Sequence, residues 1–379
     1  MKRGSIFLLL VLSLSQAQAA VWENRNRWND DWEGRFGQWL GKGFTPDIFV
    51  KGKYGGIAQD CADAVYFARL IFAYENGLPF VIQGANGLID NEMGDFDDQP
   101  PKRRLRRFFD YVGQQVSTNT LMRDTYPVQL DRKWFRPGVV AALPHIHGPN
   151  ETAGHGQIVT QVERNGVVHY LKSTVPAKVQ PLLHTTLNSF VPAPKAGSFR
   201  YWKQPKDYGK SESALPGYGT EQYHLKGIFE DEMQKRIALV EEGRDEKLSR
   251  LAGEVCHQVA ERVPMVEEAW QFKQKIGRRC MSYKEFDDYS TPSRDGKIKK
   301  ALVYMAVTAT GNSEGDVGQL AKYLDKACGG IEYLPGKRIT AAKFSERIMA
   351  GKVSSDPNQP PGVRWGDQDE ERLGCKQFY

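Results

Sequence analysis

The sequence predicts an α+β first half followed by an all-helical second half, and three observations carry that expectation. Asp60 is a good helix N-cap, and the apolar residues Val65, Phe67, Ala68, Ile71 and Phe72 behind it mark a buried helix that begins at Cys61. Strand-like apolar runs over 139–143, 155–162 and 167–171, the last two joined by the hairpin signal Asn165-Gly166, mark an antiparallel sheet. From Glu221 onward the period changes to three or four. Leu225, Phe229, Met233, Ile237 and Val240 form one stripe, and Leu248, Leu251, Val255, Val259 and Val263 form another.

Length and composition bound the rest. At 379 residues the chain exceeds one ordinary core and suggests two domains. A charged fraction of 26% and a mean hydropathy of -0.54 describe a soluble globular protein rather than a membrane or disordered one. The net charge of +6 suits anionic partners such as cell-envelope polymers, lipid headgroups or nucleic acid without choosing among them. No phosphate-binding glycine loop and no zinc-finger spacing are present, so no nucleic-acid partner is expected.

The first residues point to export. Met1-Lys2-Arg3 is a basic start, 6–14 an apolar core and Ala17-Gln18-Ala19 a small-x-small cleavage site, the pattern of a secretory signal peptide over 1–19. The apolar run is too short for a transmembrane segment. The mature chain is expected in an oxidising space, periplasmic or extracellular. Of five cysteines, Cys256, Cys280, Cys328 and Cys375 fall in the second half and can pair in three ways, which leaves Cys61 free.

In chain order, 22–50 reads as a short helix and an extended arm, Gly77-Leu78-Pro79 as a helix stop, and 84–98 as a loop. The run Lys102-Arg103-Arg104-Leu105-Arg106-Arg107 opens a helix to about residue 120 whose charges form a solvated face. Pro137-Gly138 turns into the first strand, and Phe199-Arg200-Tyr201-Trp202 closes the sheet. The domains expected are an α+β domain over 20–205, a linker over 206–220 and a helical, disulfide-braced domain over 221–379. Further helices are expected near 283–288, 296–309, 315–328 and 341–349. The Pro-rich 354–366 reads as a tail that Cys375 staples back.

Cys61 is the candidate nucleophile. A helix N-terminus favours an anion, and a thiol placed there beside a histidine can be lowered into the range where it reacts at neutral pH. His155 and His169, on neighbouring antiparallel strands, are the candidate base and its orienting partner. Helix first with cysteine at its start, then a meander carrying histidine, resembles the papain-like peptidases. The pattern is more similar still to their NlpC-type branch of bacterial cell-wall amidases and endopeptidases. Tyr54-Gly55-Gly56, Asp60-Cys61, Pro137-Gly138 and Gly154-His155-Gly156-Gln157-Ile158 carry that resemblance, which covers about residues 54–200. Ala62 and Val139 depart from it, where the family often has serine and aspartate.

The resemblance implies a thiol-dependent amide hydrolase acting on peptide crosslinks or stems of peptidoglycan, or else on protein, without a cofactor or metal. Cys61 would attack the carbonyl, His155 would hold and then deliver the proton, and His169 would orient His155. Backbone N–H groups at the helix start would hold the oxyanion, with Tyr54 as an extra donor beside the capping Asp60. The alternatives are a catalytically silent envelope-binding scaffold and an acyl or amide transferase that uses the same thioester. A rival zinc site could be built from His145 and His147 with His155 or His169. Nothing in the sequence fixes the oligomeric state.

Overall fold

The computed structural model describes residues 20–146, 152–311 and 317–378, so the segment read as a signal peptide lies outside it. It is an α+β protein. The helices are α1 (Asp30–Lys42), α2 (Cys61–Asn76), α3 (Pro101–Gln115), α4 (Thr118–Asp124), α5 (Phe229–Ile237), α6 (Arg244–Ile276), α7 (Tyr283–Tyr289), α8 (Pro292–Thr310), α9 (Ala321–Ala327), α10 (Ala341–Met349) and α11 (Pro361–Arg364). The strands are β1 (Val81–Gly84), β2 (Gly87–Asp90), β3 (Thr125–Pro127), β4 (Val140–Ile146), β5 (Thr152–Val162), β6 (Val168–Lys172), β7 (Leu183–Thr185), β8 (Ser198–Trp202), β9 (Ile331–Leu334) and β10 (Lys337–Ile339). No helix among the described residues is long and apolar enough to cross a membrane.

Strands β3 to β8 form one six-stranded antiparallel sheet in the order β3-β8-β4-β5-β6-β7. Alternation along each strand divides its side chains between two cores. Val140, Ala142, Ile158 and Leu171 face α2, packing with Val65, Phe67 and Leu70. Ala141, Val159, Tyr170 and Phe199 face the other way, onto Phe135 and the Phe229, Met233 and Ile237 of α5. A third core belongs to the second half, where α6, α8, α9 and α10 bury Leu251, Val255, Val259, Leu302, Met305, Leu324 and Phe344.

Helix α2 is the centre of the first core because every residue from Cys61 to Ala73 is buried. The Asp60 carboxylate accepts from the Ala62 and Asp63 N–H groups, the Asp63 carboxylate accepts from the Asp60 N–H, and Gly77 ends the helix in the left-handed conformation. The one cation inside it, Arg69, makes a double 2.7 Å contact with Glu33 of α1 and lies 3.2 Å from the centre of the Trp28 ring.

Several expectations are corrected. The 84–98 loop contains β2, paired with β1 around Ala85-Asn86. The second half is not all-helical, since Pro335-Gly336 turns a β9/β10 hairpin whose Ile331 and Tyr333 suit a strand better than a helix. Helix α5 lies beyond the expected boundary at 221 yet packs on the sheet. The expected linker is held down too: the Tyr126 hydroxyl donates to Pro216 O at 2.9 Å, the Gln129 N–H donates to Gly217 O at 2.8 Å, and Leu215 is buried. The cysteines pair as Cys256–Cys328 and Cys280–Cys375, which leaves Cys61 free. Two disulfides and the lack of a membrane-spanning helix among the described residues fit a periplasmic or extracellular protein.

Candidate active site around Cys61

Cys61 is the first residue of α2, set against the sheet where β5 passes. Gly156 of β5 approaches so closely that a Cβ there would lie 3.0 Å from the Cys61 carbonyl oxygen, 3.3 Å from Leu121 and 3.4 Å from Val65. A glycine is needed at 156 for that close contact of β5 with α2. Gly154 has φ +71, and a Cβ there would meet the Thr118 hydroxyl oxygen at 2.5 Å.

The sulfur is a protonated thiol. Burial pushes its pKa well above the ordinary range and the Asp60 charge adds to this, against the opposing N–H groups of Gly156 and Ala62. Desolvation thus outweighs the helix N-terminus, opposite to the lowering expected from position alone.

His155 lies on β5 between Gly154 and Gly156. Since Gly156 and Ile158 face α2, alternation places His155 with Gln157 and Val159 on the far side, under α6 and α8. Burial pushes its imidazole well below the usual range, and the cations of Lys297, Lys172 and Arg294 push it further, so the ring is neutral. Its Nε2 is buried and has no hydrogen-bond partner. No hydrogen bond joins it to Cys61, but both residues line one cavity of about 120 Å³. Thr174 and Val175, which follow β6, line it too, as do Met265 of α6, Asp287 and Asp288 of α7, the connecting 290–291, and Pro292, Ser293, Arg294 and Lys297 of α8.

The structure does not bring the other expected residues to this cavity as catalytic groups. His169 is registered opposite Gln161, six residues along β5 from His155, or about 20 Å at the usual rise. Its Nε2 lies 2.7 Å from Glu163 Oε1 and its Nδ1 2.9 Å from His184 Nε2, which occupies both ring nitrogens. The bulge between Val159 and Gln161 and the unanticipated β7, which carries His184, decide this arrangement. Tyr54 donates its hydroxyl to Glu75 at 2.9 Å. Glu75 stands fourteen residues beyond Cys61 on α2, about 21 Å away, so Tyr54 cannot serve an oxyanion at the sulfur. Asp60 is next to Cys61, but its carboxylate is engaged in capping.

The rival zinc site finds no support in the described residues. His145 Nε2 lies 3.2 Å from the Tyr283 hydroxyl, His147 is outside the described residues, and no group of three His, Cys, Asp or Glu side chains is placed to hold a metal. Comparison with protein-family models, curated proteins and solved structures returns no match.

The sequence did not reveal a group of charged residues beside His155. Lys172 of β6 lies 3.4 Å from Glu261 of α6, which also receives Arg294 of α8 and approaches His257 at 2.9 Å. Lys297, one turn along α8 from Arg294, is buried at the same place. These residues are more than a hundred positions apart in part, and no local spacing connects them.

Proposed function

We propose that the protein is a thiol-dependent amide hydrolase in which Cys61 attacks and His155 moves the proton. The observation that carries this is the shared cavity: Cys61, the free cysteine at a helix start, and His155, a neutral imidazole with an unengaged buried nitrogen, both line it, Cys61 from the α2 side of the sheet and His155 from the far side. A neutral imidazole is the form able to accept a proton.

On substrate entry the thiol proton passes to His155, the sulfur bonds to the carbonyl carbon, and the carbonyl oxygen takes the negative charge. The Ala62 and Gly156 N–H groups, already directed at the sulfur, are the donors nearest that oxygen. The imidazolium then protonates the departing amine as the C–N bond breaks. Water, deprotonated by the same ring, releases the acyl group from sulfur as a carboxylic acid. Peptidoglycan peptides are the proposed substrate class and proteins the second, in keeping with the cell-wall hydrolase resemblance of residues 54–200 and the two disulfides of an exported chain.

One observation favours a different reading, a binding protein that keeps the fold without turnover: both partners rest neutral and unbonded to each other. Incubation of the purified chain with peptidoglycan and with casein, followed by mass analysis, separates the two. New amine and carboxylate termini that are absent with Cys61→Ala support the hydrolase; an unchanged product spectrum with both substrates overturns it in favour of the binding protein.

A further inference from the structure

The chemistry of the cavity extends beyond the thiol and imidazole. Lys172, Arg294 and Lys297 all border it and are each more than nine-tenths buried, at 3%, 8% and 4% exposure. Glu261 is the carboxylate that meets Lys172 and Arg294, and it meets His257 as well. Glu254, the other acid near these cations, is engaged with Thr185, Thr186 and Gln258. Among the described residues Lys297 forms no ion pair; burial holds its amine well below the usual lysine range, Lys172 and Arg294 push it further, Glu261 and Glu254 oppose them, and it hydrogen-bonds to Lys172. Asp287 and Asp288 of α7 line the cavity as well, and Asp288 is held by Lys284 at 3.1 Å.

A buried lysine without a counter-ion escapes the cost of its charge by giving up its proton, and a bound anion favours taking that proton back. The size of the space narrows which anion. About 120 Å³ holds on the order of five water molecules, enough for the end of a peptide but not for a chain passing through. Guanidinium and ammonium groups both suit a carboxylate, the first by its planar fork.

We infer that Lys297, with Arg294 and Lys172, forms a subsite for the terminal carboxylate of a peptide whose last amide bond is presented to Cys61. The inference rests on the hydrolase reading and deepens it: the leaving group is an amino acid with a free carboxylate, so the enzyme trims chain ends. Arg294 and Lys172 are already tied to Glu261, and Lys297 is the group that the carboxylate completes. Thr174 and Met265 also line the space.

Binding is measured by calorimetry on full-length Cys61→Ala protein, so the outcome does not depend on turnover. N-acetyl-alanine is compared with N-acetyl-alaninamide, which lacks only the carboxylate charge. The acid is expected to bind at least about tenfold more tightly than the amide, the size of effect that one lost charge-assisted hydrogen bond produces. Lys297→Met, close in length and free of charge, is expected to remove that preference while leaving the circular dichroism spectrum unchanged. Equal binding of acid and amide by the Cys61→Ala protein overturns the subsite with no further variant needed. Absence of acid binding at millimolar concentration, or a folded Lys297→Met protein that keeps the preference, overturns it too. Carboxylate-selective binding in a protein whose wild type hydrolyses nothing leaves the subsite standing and removes the catalytic reading instead.

Discussion

Asp63 shows how a single buried acid ties capping to pH. Burial beside Asp60 raises its carboxyl to about 8, far above the ordinary aspartate value. Between about pH 4 and pH 8 the folded chain therefore holds a proton that the unfolded chain has released, and stability falls as pH rises through that window. Asp63→Asn keeps an acceptor for the Asp60 N–H without titrating, so its melting temperature is expected to fall less than that of the wild type between pH 5 and pH 8. Parallel melting curves would remove Asp63 from the pH response. At the same scale, His155→Ala is expected to lose about three orders of magnitude in kcat/KM on a peptide substrate, as loss of a general base commonly does. His169→Ala, whose ring serves Glu163 and His184 some 20 Å away by strand rise, is expected to stay within about twofold. Steady-state kinetics on both variants decides between them; equal losses would mean that His169 reaches the site after all. Cys61 and His155 were legible as candidates because each has a local signal, a capped helix start and a glycine-flanked strand. Their protonation was not legible, since it depends on desolvation by residues far along the chain. Nor was His169's true partner, because the sequence around Leu183 gives no strand signal strong enough to place His184 beside it.

Among the elements, α1 and α2 are locked by the Glu33–Arg69 pair, whose side chains are 1% and 5% exposed. Removing the negative partner strands a buried guanidinium, so Glu33→Gln is expected to cost about 3–5 kcal/mol in a urea titration. A loss below about 1 kcal/mol would show that the Trp28 ring suffices to hold Arg69. Most elements were legible in the sequence. Helix α2 follows from its cap and apolar run, the β5–β6 hairpin from Asn165-Gly166, and α10 from the apolar spacing within 341–349. The short β1, β2, β7, β9 and β10 were not, because three or four residues supply too little period to register and owe their pairing to tertiary contact. The assignment of α5 to the sheet rather than to the helical half is of the same kind. Phe229, Met233 and Ile237 show an apolar stripe, but the stripe does not say which surface it meets.

For the molecule as a whole, the two halves share the cavity. Lys172, Thr174 and His155 come from the sheet, and Met265, Arg294 and Lys297 from α6 and α8. Each disulfide closes a loop of 72 or 95 residues and is worth about 2–4 kcal/mol, so reduction is expected to lower the unfolding midpoint of the helical half first. Cys280 lies three residues before the start of α7, whose end walls the cavity. Replacing Cys280 and Cys375 together by serine is therefore expected to speed iodoacetamide labelling of Cys61 several-fold at pH 7.5, read by peptide mapping. Unchanged labelling would show that the wall stays in place without the bridge.

The Cys280–Cys375 bridge also sets an order of events during biogenesis. Cys375 is the last of the five cysteines to leave the ribosome and Cys61 the first. The bridge that tethers the α7 wall cannot exist until residue 375 has been made, long after α2 and its thiol. Oxidative maturation thus finishes the enclosure of Cys61 rather than beginning it, and an oxidase that acts early meets a thiol whose cover is not yet tied down.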